Sequence, residues 1–212
     1  MLTIEYARGG LFLPGPGLWL DPCGRRAGGV VVSHAHSDHI GAHDEFMATE
    51  TTAALLLARL GGKRSPVILP FGEARECGGG DAAYRLTLLP AGHILGSAMA
   101  LIEAGGSSLL YTGDFKLRPG LCAEPCAPRR ADVLVMETTF GRPAYRFPPA
   151  SVVMGEIVRF CRETVESGAT PVLLAYSLGK SQELLRGLAG GGLPVMLQIG
   201  RASCRERVYS SV

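Results

Sequence analysis

The sequence is 212 residues long, 47% hydrophobic and 19% charged, enough for one sizeable domain with a real core or about one and a half small ones. No run approaches the roughly 18 apolar residues a membrane span needs, and Met1 to Gly10 shows no basic stretch followed by an apolar one, so neither membrane insertion nor secretion is expected. The formal charge of +2 resides in Ile199–Val212, which hold three Arg and one Glu, and it therefore says nothing about partners. The run Ile199-Gly-Arg-Ala-Ser-Cys-Arg-Glu-Arg-Val208 resembles one reading frame of a common short-read sequencing adapter, and the sequence proper is expected to stop near Gln198. The six cysteines form no paired framework, which predicts free thiols in a reducing cytoplasm. Twenty-nine Gly and fourteen Pro, scattered without a period, predict many tight turns and a strand-rich architecture.

In chain order, the first clear element is Gly28-Gly-Val-Val-Val-Ser-His34, an apolar β-branched run that reads as a buried strand ending in a polar loop. Thr49 to Leu60 reads as a helix with a Thr start and Gly61-Gly62 as stop. Short strands are predicted at Val67–Leu69, Tyr84–Leu89, Ala98–Glu103, Ser108–Thr112 and Asp132–Met136. From Ser151 the character changes: Met154, Ile157, Val158, Cys161 and Val165 share one helical face, with Ser151 as cap and Gly168 as stop. A strand at Pro171–Tyr176, a helix at Ser181–Leu188 and a strand at Leu193–Gln198 complete a β/α-alternating section. The expected organisation is residues 1–148, 149–198 and the tail 199–212.

The chemistry concentrates in Ser33-His34-Ala35-His36-Ser37-Asp38-His39. Histidines two apart on an extended chain point to the same side, so His34 and His36 can hold one metal ion, and the turn that follows can swing Asp38 and His39 towards a second. His93, in Pro90-Ala-Gly-His-Ile-Leu-Gly-Ser97, is the only histidine outside the His34–His43 stretch, and its neighbouring glycines permit close backbone approach. Asp114 follows a predicted strand in Thr-Gly-Asp. Together these imidazoles and carboxylates suit two zinc ions, other first-row metals being compatible. Gly179-Lys180-Ser181 is no phosphate-binding P-loop, because the pattern requires Gly at the position of Leu174. Ser177, Lys180 and Ser181 nevertheless open a helix after a strand and could offer donors to a phosphate, a plain helix cap being the alternative. Aromatic residues are few, and no basic-aromatic stripe is visible from which base stacking could be argued.

His-x-His-x-Asp-His, then a His, then an Asp, resembles the metallo-β-lactamase superfamily. The blocks Leu88-Leu-Pro-Ala-Gly-His-Ile-Leu-Gly-Ser-Ala98, Tyr111-Thr-Gly-Asp-Phe-Lys116, Glu137-Thr-Thr-Phe-Gly141 and Ala175-Tyr-Ser-Leu-Gly-Lys-Ser-Gln-Glu183 resemble its β-CASP nuclease branch. Within that branch they are most similar to the bacterial DNA-ligase-associated exonucleases, also described as mRNA 3′-end processing factor-like proteins. The resemblance covers about residues 10 to 198. It implies an α/β (α+β) fold, an incomplete αββα sandwich followed by the start of a β-CASP-like section.

The resemblance further implies a first metal on His34, His36 and His93, and a second on Asp38 and His39 with Asp114 bridging. The two divalent ions would be zinc, with manganese as the other option. Asp21 would support the site, and Glu137 would open the β-CASP motif series as an acidic catalytic residue beside Asp38 and Asp114. The family's two further histidines have no counterpart after His93, which fits a chain cut near Gln198; His43 is expected on a helix surface or behind the site. The implied function is a nucleic-acid phosphodiesterase, an exonuclease on DNA or RNA in which paired metals acidify a shared water. Its setting would be DNA repair or RNA processing alongside a DNA ligase or helicase, in the cytoplasm and away from membranes. A small-molecule metallohydrolase acting on a β-lactam or thioester, or an inactive metal-binding remnant, are the alternatives.

Overall fold

The structure, a computed structural model, describes residues 2–7 and 9–198; the tail expected to be adapter-derived, with Cys204, lies outside the described residues. The chain forms two compact units, one up to Thr139 and one from Phe140 onward, where the sequence led us to expect a division after residue 148.

The first unit opens with three strands of three or four residues, β1 (Glu5–Ala7), β2 (Gly10–Leu13) and β3 (Leu18–Leu20). They escape sequence reading because Gly9 and the run Pro14-Gly-Pro-Gly17 punctuate them before any alternation can build up. The sheet continues with β4 (Gly29–Val31), β5 (Glu45–Ala48) and β6 (Ser65–Ile68) in the order β1-β2-β3-β4-β5-β6, antiparallel as far as β3 and parallel beyond it. The crossover from β5 to β6 is helix α1 (Glu50–Leu60), which buries Thr52, Ala53 and Leu56. Its start is set by Thr49, whose hydroxyl accepts the Thr52 amide as an N-cap at 3.2 Å.

A second sheet is built from β7 (Ala74–Cys77), β8 (Tyr84–Pro90), β9 (Ala98–Ala104), β10 (Ser107–Tyr111) and β11 (Val133–Val135), in the order β11-β10-β9-β8-β7. Only the β10/β11 pair is parallel. Register puts Leu86 opposite Ile102, Leu88 opposite Ala100, and Leu109 and Tyr111 beside them on one face. That face packs on Leu13, Leu18, Leu20, Val31 and Met47 of the first sheet, so the core is the layer between two sheets. Each of these side chains stabilises the unit by about 1.5–3 kcal/mol when fully buried. The opposite face of the second sheet, with Leu89, Met99, Leu101 and Leu110, is covered by Phe115, Cys126 and Ala131 of the long connection to β11. The two facing sheets with α1 give an α+β architecture, a metallo-β-lactamase-like sandwich as the resemblance implies.

In the second unit, α2 (Ala150–Glu166) begins just before the expected Ser151 cap, after Pro149, and α3 (Lys180–Ala189) packs on it. Gly187 lies against the Met154 side chain, which would have to move to admit a larger residue. Of the expected apolar stripe on α2, Cys161 is buried whereas Val165 is 46% exposed. Segments 171–174 and 193–198 alternate in burial as strands would, but Leu174, Ala175 and Tyr176 are all exposed and no ladder forms on either segment among the described residues. Alternation marks an extended chain; a strand also requires a neighbour to accept its hydrogen bonds. No disulfide and no helix long and apolar enough to cross a membrane occurs among the described residues.

Candidate metal centre

Five strands of the first unit deliver chemistry from the residues just past their carboxyl ends: Asp21 after β3, His34 and His36 after β4, His93 after β8, Asp114 after β10 and Glu137 after β11. The chain leaving β4 stays extended through His36, then closes a single 3₁₀ turn over Ser37–His39. Extension turns His34 and His36 to one side, and the turn redirects Asp38 and His39, as the spacing predicts.

Ring nitrogens converge. His34 Nε2 lies 3.1 Å from His36 Nδ1, and His36 Nδ1 lies 3.2 Å from His93 Nε2. Asp114 Oδ2 is 3.5 Å from His93 Nε2 and 3.9 Å from His34 Nε2. The four ligand atoms of His34, His36, His93 and Asp114 fall within 4.8 Å of one another. Around a tetrahedral zinc with bonds of about 2.0–2.1 Å, ligand atoms sit roughly 3.3 Å apart, so this nitrogen and oxygen set fits such an ion. Its donors also match the imidazole and carboxylate preference of first-row metals.

His39 stands on the other side of Asp114, with Nε2 3.3 Å from Asp114 Oδ1 and 3.8 Å from Asp38 Oδ2. Asp38 is outside the four-atom cluster and its side chain is 77% exposed. Asp114 therefore touches both the His34/His36/His93 group and His39.

Asp21, His34 and His39 also form a close group, yet Asp21 is already committed elsewhere. Its carboxylate accepts the Ser33 amide at 2.7 Å, the Ser33 hydroxyl at 2.5 Å, the Tyr111 hydroxyl at 2.8 Å and His39 Nδ1 at 2.8 Å. Four donors fill the acceptor sites of one carboxylate. Asp21 therefore holds His39 with Nε2 turned towards Asp114, a carboxylate–imidazole support that fixes the ring and its tautomer. Its backbone is strained to fit: φ of 43° makes it the only left-handed non-glycine among the described residues.

Charge follows the same geometry. Burial pulls the His39 pKa down, but hydrogen bonds to Asp114 and Asp21 outweigh it and hold it up at about 10. The His39 hydrogen bond holds Asp114 down at about 2. Burial, reinforced by the neighbouring His39 and His93, drives His34 down to about 2, and burial also lowers His93. His34 and His93 are thus held neutral, the form that ligates metal, and Asp114 is ionised, whereas His39 is held protonated by its two carboxylates and must release the Nε2 proton to ligate.

The His93 loop is clamped from several sides. Its Ser97 hydroxyl accepts the His93 and Ile94 amides at 3.1 and 3.2 Å. The Thr49 and Thr52 hydroxyls both donate to the Gly96 carbonyl, and Glu124 accepts the Gly96 amide at 2.9 Å. Arg59, from the last turn of α1, donates to the Ala35 carbonyl between His34 and His36. Sequence reasoning gave no role at the site to Ser33, Thr49, Thr52, Arg59, Tyr111 or Glu124. The glycines it did single out, Gly92 and Gly96, have φ of 75° and 79° and lie against Lys116 and Thr51.

His43 is neither a ligand nor on a helix surface. It is buried, taking the Arg26 amide on Nδ1 and facing the Pro22 carbonyl with Nε2, so it pins the loop behind Asp21. Glu137 lies outside the ligand cluster; its carboxylate accepts the Phe115 amide at 3.4 Å and the Thr139 amide at 3.2 Å, tying β11 to the Asp114 loop. In the second unit, Ser177, Lys180 and Ser181 stand at the start of α3. There the Ser181 hydroxyl donates to the Tyr176 carbonyl and the Gln182 side chain to the Ser177 carbonyl, the bonds of a helix start.

No family model matches the chain. It is 54% identical over 192 residues to a protein named probable DNA ligase from Opitutus terrae, an alignment covering 89% of this chain and 18% of that one. RNase aCSPSF2 of Saccharolobus solfataricus is 30% identical over 197 residues, covering 78% of this chain and 39% of the RNase. The 5′ exonuclease Apollo of Gallus gallus is 35% identical over 172 residues, covering 78% and 37%. The chain belongs to the β-CASP branch of the metallo-β-lactamase superfamily. It spans between about a fifth and two fifths of the length of these relatives.

One consequence of the Asp21 arrangement is testable in this β-CASP chain. Tyr111→Phe removes one of four donors to a buried carboxylate and is expected to cost about 1–2 kcal/mol in urea unfolding. It is also expected to weaken metal binding roughly tenfold by loosening His39. Unchanged stability and affinity would mean that the Tyr111 hydroxyl does not support the site.

Proposed function

We propose that this chain carries the metal centre of a nucleic-acid phosphodiesterase of the β-CASP type. The observation that supports it most is the meeting of ligand atoms of His34, His36, His93 and Asp114 within 4.8 Å, past the ends of three strands. In this reading His34, His36 and His93 hold a first divalent ion, Asp38 and His39 a second, and Asp114 is shared; zinc suits the donors best, with manganese second. When bound, the ions supply Lewis acidity, which acidifies a water and neutralises charge on a phosphoryl oxygen.

The chain's own residues do the rest. Asp114 and the exposed Asp38 orient the attacking water through their carboxylate oxygens. Asp21 keeps His39 from rotating as charge develops. Glu137 acts as a positioning residue, because its carboxylate holds the Phe115 amide directly after Asp114. Of the five histidines in the sequence, four line the centre and His43 is held by backbone, so none remains to protonate the departing oxygen. Turnover by this chain is accordingly slow. The names of the relatives, an RNase and a 5′ exonuclease, favour a polynucleotide over a β-lactam or thioester. A relative named probable DNA ligase favours work beside DNA ligation; DNA repair in the cytoplasm is the setting we infer.

The test is a substrate panel with added zinc or manganese: single- and double-stranded DNA, RNA, nitrocefin and a thioester. Metal-dependent cleavage confined to the polynucleotides is expected. Hydrolysis of nitrocefin or the thioester with intact polynucleotides would overturn the assignment.

A further inference from the structure

In the second unit, Phe140, Tyr145 and Phe147 gather into a cluster that the function above does not use. Ring centroids lie 5.4 Å apart for Phe140 and Tyr145, 5.1 Å for Phe140 and Phe147, and 6.2 Å for Tyr145 and Phe147. The Tyr145 and Phe147 rings are nearly parallel, at 12°, and Phe140 meets both edge-on. Tight turns make the gathering: the Tyr145 amide donates to the Arg142 carbonyl and the Arg146 amide to the Ala144 carbonyl. Pro143, Pro148 and Pro149 limit the chain's alternatives.

Rings in contact with one another are usually buried for that reason, yet these remain 60%, 49% and 52% exposed. Arg142 and Arg146, both exposed, alternate with them, and no acidic residue occurs from Thr138 to Gly155. Exposed π-faces interleaved with cations, without competing carboxylates, suit a ligand that is flat, apolar on its faces and anionic along its backbone. We propose that residues 140–147 form a stacking platform for single-stranded nucleic acid, in which Phe140, Tyr145 and Phe147 receive unstacked bases and Arg142 and Arg146 engage the phosphates. The proposal deepens the phosphodiesterase reading and rests on it for the substrate class.

Fluorescence anisotropy of labelled 12-nucleotide single-stranded DNA and RNA, with a chelator present to prevent cleavage, tests it. Phe147→Leu and Tyr145→Ala are each expected to weaken binding about tenfold, while Tyr145→Trp, which keeps a π-face, retains it. Arg146→Gln is expected to reduce the slope of log affinity against log salt by about 0.7, the loss of one phosphate contact on a single strand. Circular dichroism checks that each variant is folded. Comparing the DNA and RNA arms tells which polymer the platform prefers. Unchanged affinity in Phe147→Leu and Tyr145→Ala would overturn the platform. So would a ring-dependent dimer in sedimentation with oligonucleotide affinity unaltered, since a second copy would then cover the rings. Hydrolysis of bis-p-nitrophenyl phosphate by the unsubstituted metal-loaded chain is read separately. If it occurs while the ring variants bind normally, the platform falls and the phosphodiesterase reading stands; if it is absent while binding depends on the rings, the reverse holds.

Discussion

His36→Ala is expected to lose the tightly held metal ion while the chain stays folded. His36 Nδ1 lies within 3.2 Å of both His34 Nε2 and His93 Nε2, so its removal opens the cluster between them. Zinc retained after dialysis, read by elemental analysis, is expected to fall by at least one equivalent per chain. Polynucleotide cleavage should drop by about three orders of magnitude or more, since several kcal/mol of barrier lowering depend on the ion and each 1.4 kcal/mol is about tenfold. Equal zinc in the variant and the unsubstituted chain would remove His36 from the site.

The second large effect is expected at a residue with no functional group. Gly92 has φ of 75°, and a Cβ there would meet the Lys116 carbonyl, a backbone atom that cannot step aside. Gly92 carries His93, and Lys116 lies two residues past Asp114, so the collision would push two ligand loops apart. Gly92→Ala is expected to destabilise the first unit by about 3 kcal/mol, from left-handed strain plus overpacking, and to abolish tight metal binding. Gly155→Ala is the contrast: a Cβ on this residue of α2 meets nothing, and helix propensity alone should stabilise by about 1 kcal/mol. Urea unfolding of both variants gives the comparison, and a Gly92→Ala protein as stable as the parent would contradict the packing account.

The His34–His39 cluster is legible because its geometry is local: an extended chain fixes which side chains share a side, and one turn redirects the next two. His93 and Asp114 are legible as motifs beside glycines, although nothing local says that they meet His36; the registers of β8, β9 and β10 bring them there. The supporting hydroxyls are not legible for that same reason. Ser33 and Tyr111 look like ordinary strand residues until two facing sheets put both on Asp21. For His43 the sequence left two places open, a helix surface or behind the site, and tertiary packing decides between them by burying the ring behind Asp21 on backbone groups. Strand reading failed where its signal is weakest: β1 to β3 are too short to alternate, and 171–174 alternates without a ladder partner among the described residues. The Phe140, Tyr145 and Phe147 cluster escaped because its rings are brought together by turns and follow no helical or strand period.

X-ray absorption at the zinc edge, on the chain loaded with one equivalent, tests the central claim most directly. The account predicts three imidazole nitrogens and one oxygen at about 2.0–2.1 Å, with the multiple scattering of histidine rings. Sulfur scatterers at about 2.3 Å would contradict it. They would assign the metal to cysteines such as Cys23, whose thiol lies 3.5 Å from the Asp38 carbonyl oxygen, in place of His34, His36, His93 and Asp114.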